Sequence, residues 1–95
     1  MGTYLDTRAT DFANASAHMS LNDLAELLFC STLQPSQRVD ASAVHSALAQ
    51  ALHSHHGLVV ECAAELAASY GKDPEVTCLR MRWARDLISA TYLAV

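Results

Sequence analysis

The sequence predicts an all-α fold, a small up-and-down bundle of about four helices behind a loose N-terminal segment. Three observations carry that expectation. Apolar residues recur at helical intervals in four runs, and the few glycines and prolines fall between those runs. Hydrophobic residues make up 52% of the 95-residue chain while aromatics make up only 6%, because alanine supplies much of the apolar count. Alanine is the best helix former but buries little area, so leucine, valine, tryptophan and tyrosine must supply most of the core. A chain of this size forms one domain with a marginal core, and association with a second copy would relieve that margin.

Residues 1–19 show no sustained period, and with isolated Tyr4, Leu5 and Phe12 they read as a flexible segment or a docking arm. The helical domain, residues 20–95, begins at Ser20. Ser20 and Asp23 approximate a capping box, and Met19 and Leu24 occupy the hydrophobic-staple positions. That helix is expected over 21–33, with Leu21, Leu24, Ala25 and Leu28 on one face. Leu27 and Cys30 lie off the face, so the helix is apolar around most of its circumference and belongs at the centre of a bundle or in an interface.

Pro35 ends it. Asp40 caps a second helix over 41–56, with Val39 and Val44 as the staple and Val44, Leu48, Ala51 and Leu52 as the core face. Gly57 stops it. The third helix, over 58–70, is amphipathic, with Val59, Cys62, Ala63, Leu66 and Tyr70 on one side and Gly71 as its stop. Its short connection to the second predicts an antiparallel hairpin, with a single helix kinked at Gly57 as the alternative. Asp73, Pro74 and Glu75 then open the longest helix, 74–93, as cap, first-turn proline and dipole-complementing acid.

That last helix carries two apolar groups. Val76, Leu79, Trp83, Leu87, Ala90 and Ala94 fall on one arc, which is expected to face the core. Met81, Ile88 and Tyr92 form the other, flanked by Cys78, Arg82, Arg85 and Ser89. Met81, Arg85, Ile88 and Tyr92 are therefore the candidate interface with a second copy or another protein; burial by a neighbouring helix of the same chain is the competing reading. Arg80, Arg82 and Arg85 are half of the six basic side chains, but they diverge around the helix. Arg80 lies near the core arc and is expected to snorkel or to pair with Glu26, Glu61 or Glu65. A nucleic-acid regulator using Arg82 and Arg85 is an alternative that the net charge of −4 disfavours.

His53 and His56, one turn apart, are candidate ligands for zinc or a transition metal, with Cys62 or Glu61 approaching across the Gly57 turn. The favourable interaction of imidazolium with a helix C-terminus explains the same histidines without a metal, and no cofactor is otherwise expected. His55 falls near the core arc. Cys30, Cys62 and Cys78 are widely spaced with no CxxC pair, which reads as reduced thiols packed as small hydrophobes. Cys62 and the nearby histidines are the only nucleophile–base pairing that sequence proximity offers, alanine-rich helices leave little depth for a substrate pocket, and no phosphate loop or paired-carboxylate motif occurs, so the chain is not expected to be an enzyme.

The start of the chain has no leader pattern, and Asp6 stands where a myristoylation signal wants Ser or Thr. No apolar run is long enough to span a membrane. The expectation is a cytoplasmic protein from a bacterium, given abundant alanine and little lysine: a protein-interaction or regulatory module, homodimeric through its C-terminal helix, with a metal-binding role as the first alternative.

Overall fold

The computed structural model describes Phe12 and residues 16–93, so Tyr4, Leu5 and Ala94 lie outside the description. Four helices follow in order: α1 Leu21–Phe29, α2 Ala41–Ser54, α3 Val59–Lys72 and α4 Pro74–Tyr92. No strand occurs among the described residues, and the helices close around one core as a small all-α bundle.

Each helix start has a chemical cause except that of α3. The Ser20 hydroxyl accepts from the Asp23 N–H at 3.0 Å and the Asp23 carboxylate accepts from the Ser20 N–H at 3.1 Å, a complete capping box. Asp40 accepts from the Ala43 N–H at 2.8 Å, and Asp73 from the Val76 N–H at 3.3 Å. Leu58 precedes α3 without a side-chain cap. Asp73 is a joint between two helices: it is the C-cap of α3 and the N-cap of α4, with φ −148° and ψ 83°.

Three helix ends differ from expectation by two residues or more. α1 stops at Phe29 because the Ser31 hydroxyl folds back onto the Leu28 carbonyl at 2.6 Å and because Arg80 of α4 draws the carbonyls just beyond the helix out of the ladder. α3 runs through Gly71 to Lys72, since the following Asp73–Pro74 pair, not the glycine, breaks the pattern. α2 ends at Ser54, two residues short of the expected 56, because the turn into the Gly57 stop already begins at its C-cap His55. His56 (φ 59°) and Gly57 (φ 75°) both adopt left-handed backbone, and the Gly57 N–H donates to the Leu52 carbonyl at 2.8 Å.

The two glycines should therefore respond oppositely to one substitution. A Cβ at either position meets nothing within 4 Å, so backbone preference alone decides. Gly71→Ala sits in a regular helix and should stabilise by roughly 0.5–1 kcal/mol, whereas Gly57→Ala forces a left-handed alanine and should cost roughly 1–2 kcal/mol. Urea melts of the two variants check the signs.

α1 is the shortest helix and the hub. It packs against all three others, most extensively against α4, and buries Leu24, Ala25, Leu27, Leu28 and Phe29. That agrees with a helix apolar around most of its circumference. α3 also packs on α4, but α2 and α3 do not lie against each other along their lengths, so the expected hairpin does not form. Their connection turns α3 away to reach α4. Phe12 is 8% exposed within the same core, so this residue of the N-terminal segment is docked.

α4 buries the face opposite to the one expected. Thr77, Met81, Ala84 and Ile88 point inward, with Met81 and Ile88 each 1% exposed, while Val76 and Leu79 are 59% and 62% exposed. The two stripes have comparable apolar content, so hydrophobicity alone does not choose between them. With this face inward, Arg80 stands at the edge of the buried stripe, where it reaches the end of α1.

Candidate functional site

Two places carry more chemistry than the fold requires. The first is the end of the bundle where α1 and α2 terminate and α3 begins. Cys30, His55 and Cys62 each present one donor atom there, all within 4.8 Å of one another. Cys30 is the C-cap residue of α1, His55 the C-cap residue of α2, and Cys62 lies in the first turn and a half of α3. The Cys30 thiol donates to the Cys62 carbonyl at 3.6 Å.

His55 is held in a defined tautomer. Its Nδ1 lies 2.7 Å from the Ala51 carbonyl oxygen, which can only accept, so Nδ1 carries a proton and Nε2 faces the Glu65 carboxylate at 3.3 Å. The Ala51 bond, followed by the Glu65 partner, raises the affinity of the ring for a second proton. Burial, reinforced by the neighbouring Glu65 carboxylate, pushes the Cys30 thiol well above the ordinary thiol range, and burial likewise raises Cys62. The Glu65 carboxyl is held below its usual range by Cys30 first and then by His55. The cluster is thus two protonated thiols, an imidazole and an ionised carboxylate.

The candidate metal ligands do not come together. Cys62 belongs to the cluster, fully buried at 0%, but His53 and His56 do not reach it. His53 is exposed on the outer face of α2, and His56, thrown outward by its left-handed backbone, meets Glu61 at 3.1 Å with its side chain 80% exposed. The histidine in the site is His55, which continues the Val44, Leu48, Ala51 and Leu52 face by helical periodicity. Cys30 carried no signal in the sequence, because it reaches Cys62 across 32 residues. Cys78, expected to pack as a hydrophobe, is exposed.

The second place is the outer side of α4. Val76 and Leu79 are exposed there in line with partly buried Trp83 and Leu87, beside an open groove whose other wall is Gln37, Arg38, Val39 and Asp40. Of the expected interface residues only Arg85 is exposed. Met81 and Ile88 are spent in the chain's own core, and Tyr92 is half-buried with its ring 5.5 Å from that of His45.

Arg80 is not paired with Glu26, Glu61 or Glu65. Its guanidinium donates to the carbonyls of Phe29, Ser31 and Leu33 at 2.9, 3.0 and 2.9 Å, and it lies over the rings of Phe29 and Trp83 at 5.6 and 4.7 Å. It therefore serves the orphan carbonyls at the α1 end as a five-donor fork. Arg82 and Arg85 are exposed and, as expected, diverge from it. No described helix is long and apolar enough to cross a membrane.

Comparisons with protein-family models, curated proteins and solved structures gave no match to the chain. The functional reading therefore rests on the two places just described.

Proposed function

We propose that the chain is a small protein-interaction module that associates with a second copy of itself through the outer stripe of α4. One observation carries the reading: after the bundle has closed, Val76 and Leu79 remain 59% and 62% exposed on the same helix face as Trp83 and Leu87. The positions 76, 79, 83, 87 and 90 average about 3.5 residues apart, the spacing at which two helices keep a seam in register. Exposed Glu75, Arg82 and Asp86 line one margin of the stripe and supply a polar rim. The helix assigned to the interface is the one expected from sequence, but the residues are those of the other stripe.

The reading is non-catalytic. Burial keeps the Cys30 and Cys62 thiols protonated, and the protonated form is a poor nucleophile. A nucleic-acid role has no support in the geometry beyond two exposed arginines on an acidic chain.

Light scattering and sedimentation over a concentration series test the proposal. The chain should form a concentration-dependent dimer, and Val76→Asp or Leu79→Asp should each weaken it by roughly tenfold or more, from the loss of about 1.5–3 kcal/mol of side-chain burial, with the helicity of the monomer unchanged. A wild-type chain that stays monomeric at high concentration, or a double variant that still dimerises, overturns it.

A further inference from the structure

The end of the bundle at Cys30, His55 and Cys62 is the most densely built chemistry in the molecule, and it is independent of the α4 stripe. We infer that Cys30, His55 and Cys62 bind a zinc ion, with Glu65 completing the coordination. The donor set is the first reason. Two thiols and an imidazole suit a thiophilic cation of zinc's type, and hard cations such as magnesium and calcium prefer oxygen.

The second reason is geometric. A tetrahedron with Zn–S near 2.3 Å and Zn–N or Zn–O near 2.0 Å separates its donors by roughly 3.3–3.8 Å. The three donor atoms already lie within 4.8 Å of one another, so small side-chain rotations reach that spacing. His55 Nε2 and Glu65 Oε1 stand 3.3 Å apart, one tetrahedral edge.

The third reason lies behind the ligands. The hydrogen bond from Nδ1 to the Ala51 carbonyl fixes the tautomer that leaves Nε2 as a lone-pair donor, an arrangement characteristic of metal-bound histidine. Binding forms two Zn–S bonds, one Zn–N bond and one Zn–O bond, and the two thiol protons, with any proton on Nε2, pass to solvent.

The ion would also repair a gap in the fold. The cluster takes its residues from the end of α1, the end of α2 and the start of α3, whereas α2 and α3 lack lengthwise packing. Zinc there ties together the two helices that the core leaves apart. The site is structural, not catalytic, because all four positions are filled by protein.

The test uses the full chain, purified with its thiols reduced, and zinc chloride or cobalt chloride as the probe. One equivalent should bind, cobalt should give thiolate charge-transfer absorption with the pattern of a tetrahedral site, and zinc should raise the melting temperature by more than about 5 °C. Cys30→Ser and Cys62→Ser should abolish the cobalt charge-transfer band or lower affinity at least ~100-fold. Glu65→Gln should lower it roughly 10–100-fold while leaving the apo fold intact by circular dichroism. His53→Ala, His56→Ala and Cys78→Ser should bind like wild type. Binding that follows His53 and His56 instead, cobalt spectra lacking the thiolate band, or reduced protein that takes up no metal overturns the inference.

Discussion

Ile88→Asp should unfold the chain at every concentration instead of releasing a folded monomer. Ile88 is 1% exposed on the face of α4 that meets the core, beside Met81 and Ala84. An aspartate there loses the isoleucine's burial, leaves a void and places a carboxylate inside the apolar core. The combined cost exceeds about 4 kcal/mol, against a total stability of roughly 5–15 kcal/mol for a domain, with a short chain at the low end. Far-ultraviolet circular dichroism and urea melts check this. A variant that keeps wild-type helicity and melting while changing only its oligomeric state would show that Ile88 faces a partner. Ile88→Ala is the milder form, with an expected loss of about 2–5 kcal/mol and the same fold.

Arg80→Met should cost about 2–4 kcal/mol while preserving the stem that packs along the helix. Three carbonyls at the end of α1 accept from this one guanidinium, and hydrogen bonds to charged groups contribute about 1.5–3 kcal/mol each before the geometry is shared and partly solvated. Phe29 and Trp83 also lose the cation over their rings. Burial makes the guanidinium somewhat easier to deprotonate, but it stays charged across the accessible pH range. Arg80→Lys should recover only part of the loss, because an ammonium on a single stem cannot reproduce the planar fork. Chemical denaturation of the two variants gives the ordering, and a lysine variant as stable as wild type would reduce the residue's role to that of a counter-charge.

Local signals located the helices, and tertiary partners moved what they did not. The caps at Ser20, Asp40 and Asp73 and the left-handed stop at Gly57 depend on residues a few positions apart, so they were legible in the sequence. The end of α1 depends only in part on the local Ser31 hydroxyl; its other cause, Arg80, lies 51 residues from Phe29 and had no local signature. The buried face of α4 was ambiguous for a related reason. Val76, Leu79 and Trp83 are as apolar as Met81, Ala84 and Ile88, and the choice falls to packing against α1.

The cluster of Cys30, His55 and Cys62 was half legible. Periodicity placed His55 on the core face of α2 and Cys62 on the core face of α3, and the turn at His56 and Gly57 brings those helix ends together. The choice of His53 and His56 followed their spacing of one helical turn, which puts them on a common face but says nothing of where that face points. Left-handed backbone at His56 then sends its ring to solvent. Cys30 entered through the fold alone.

The joint at Asp73 has a consequence for how the chain tolerates changes of length. A single residue closes α3 and opens α4, so no slack exists there: one inserted residue would rotate the whole of α4 by about 100° about its axis and turn Met81 and Ile88 away from the core. The loop of residues 30–40 has no such constraint at its exposed middle, Gln34 to Arg38. Natural length variation should therefore collect in that loop and be absent between Lys72 and Pro74, where the spacing of the chain decides which face of its longest helix meets the outside world.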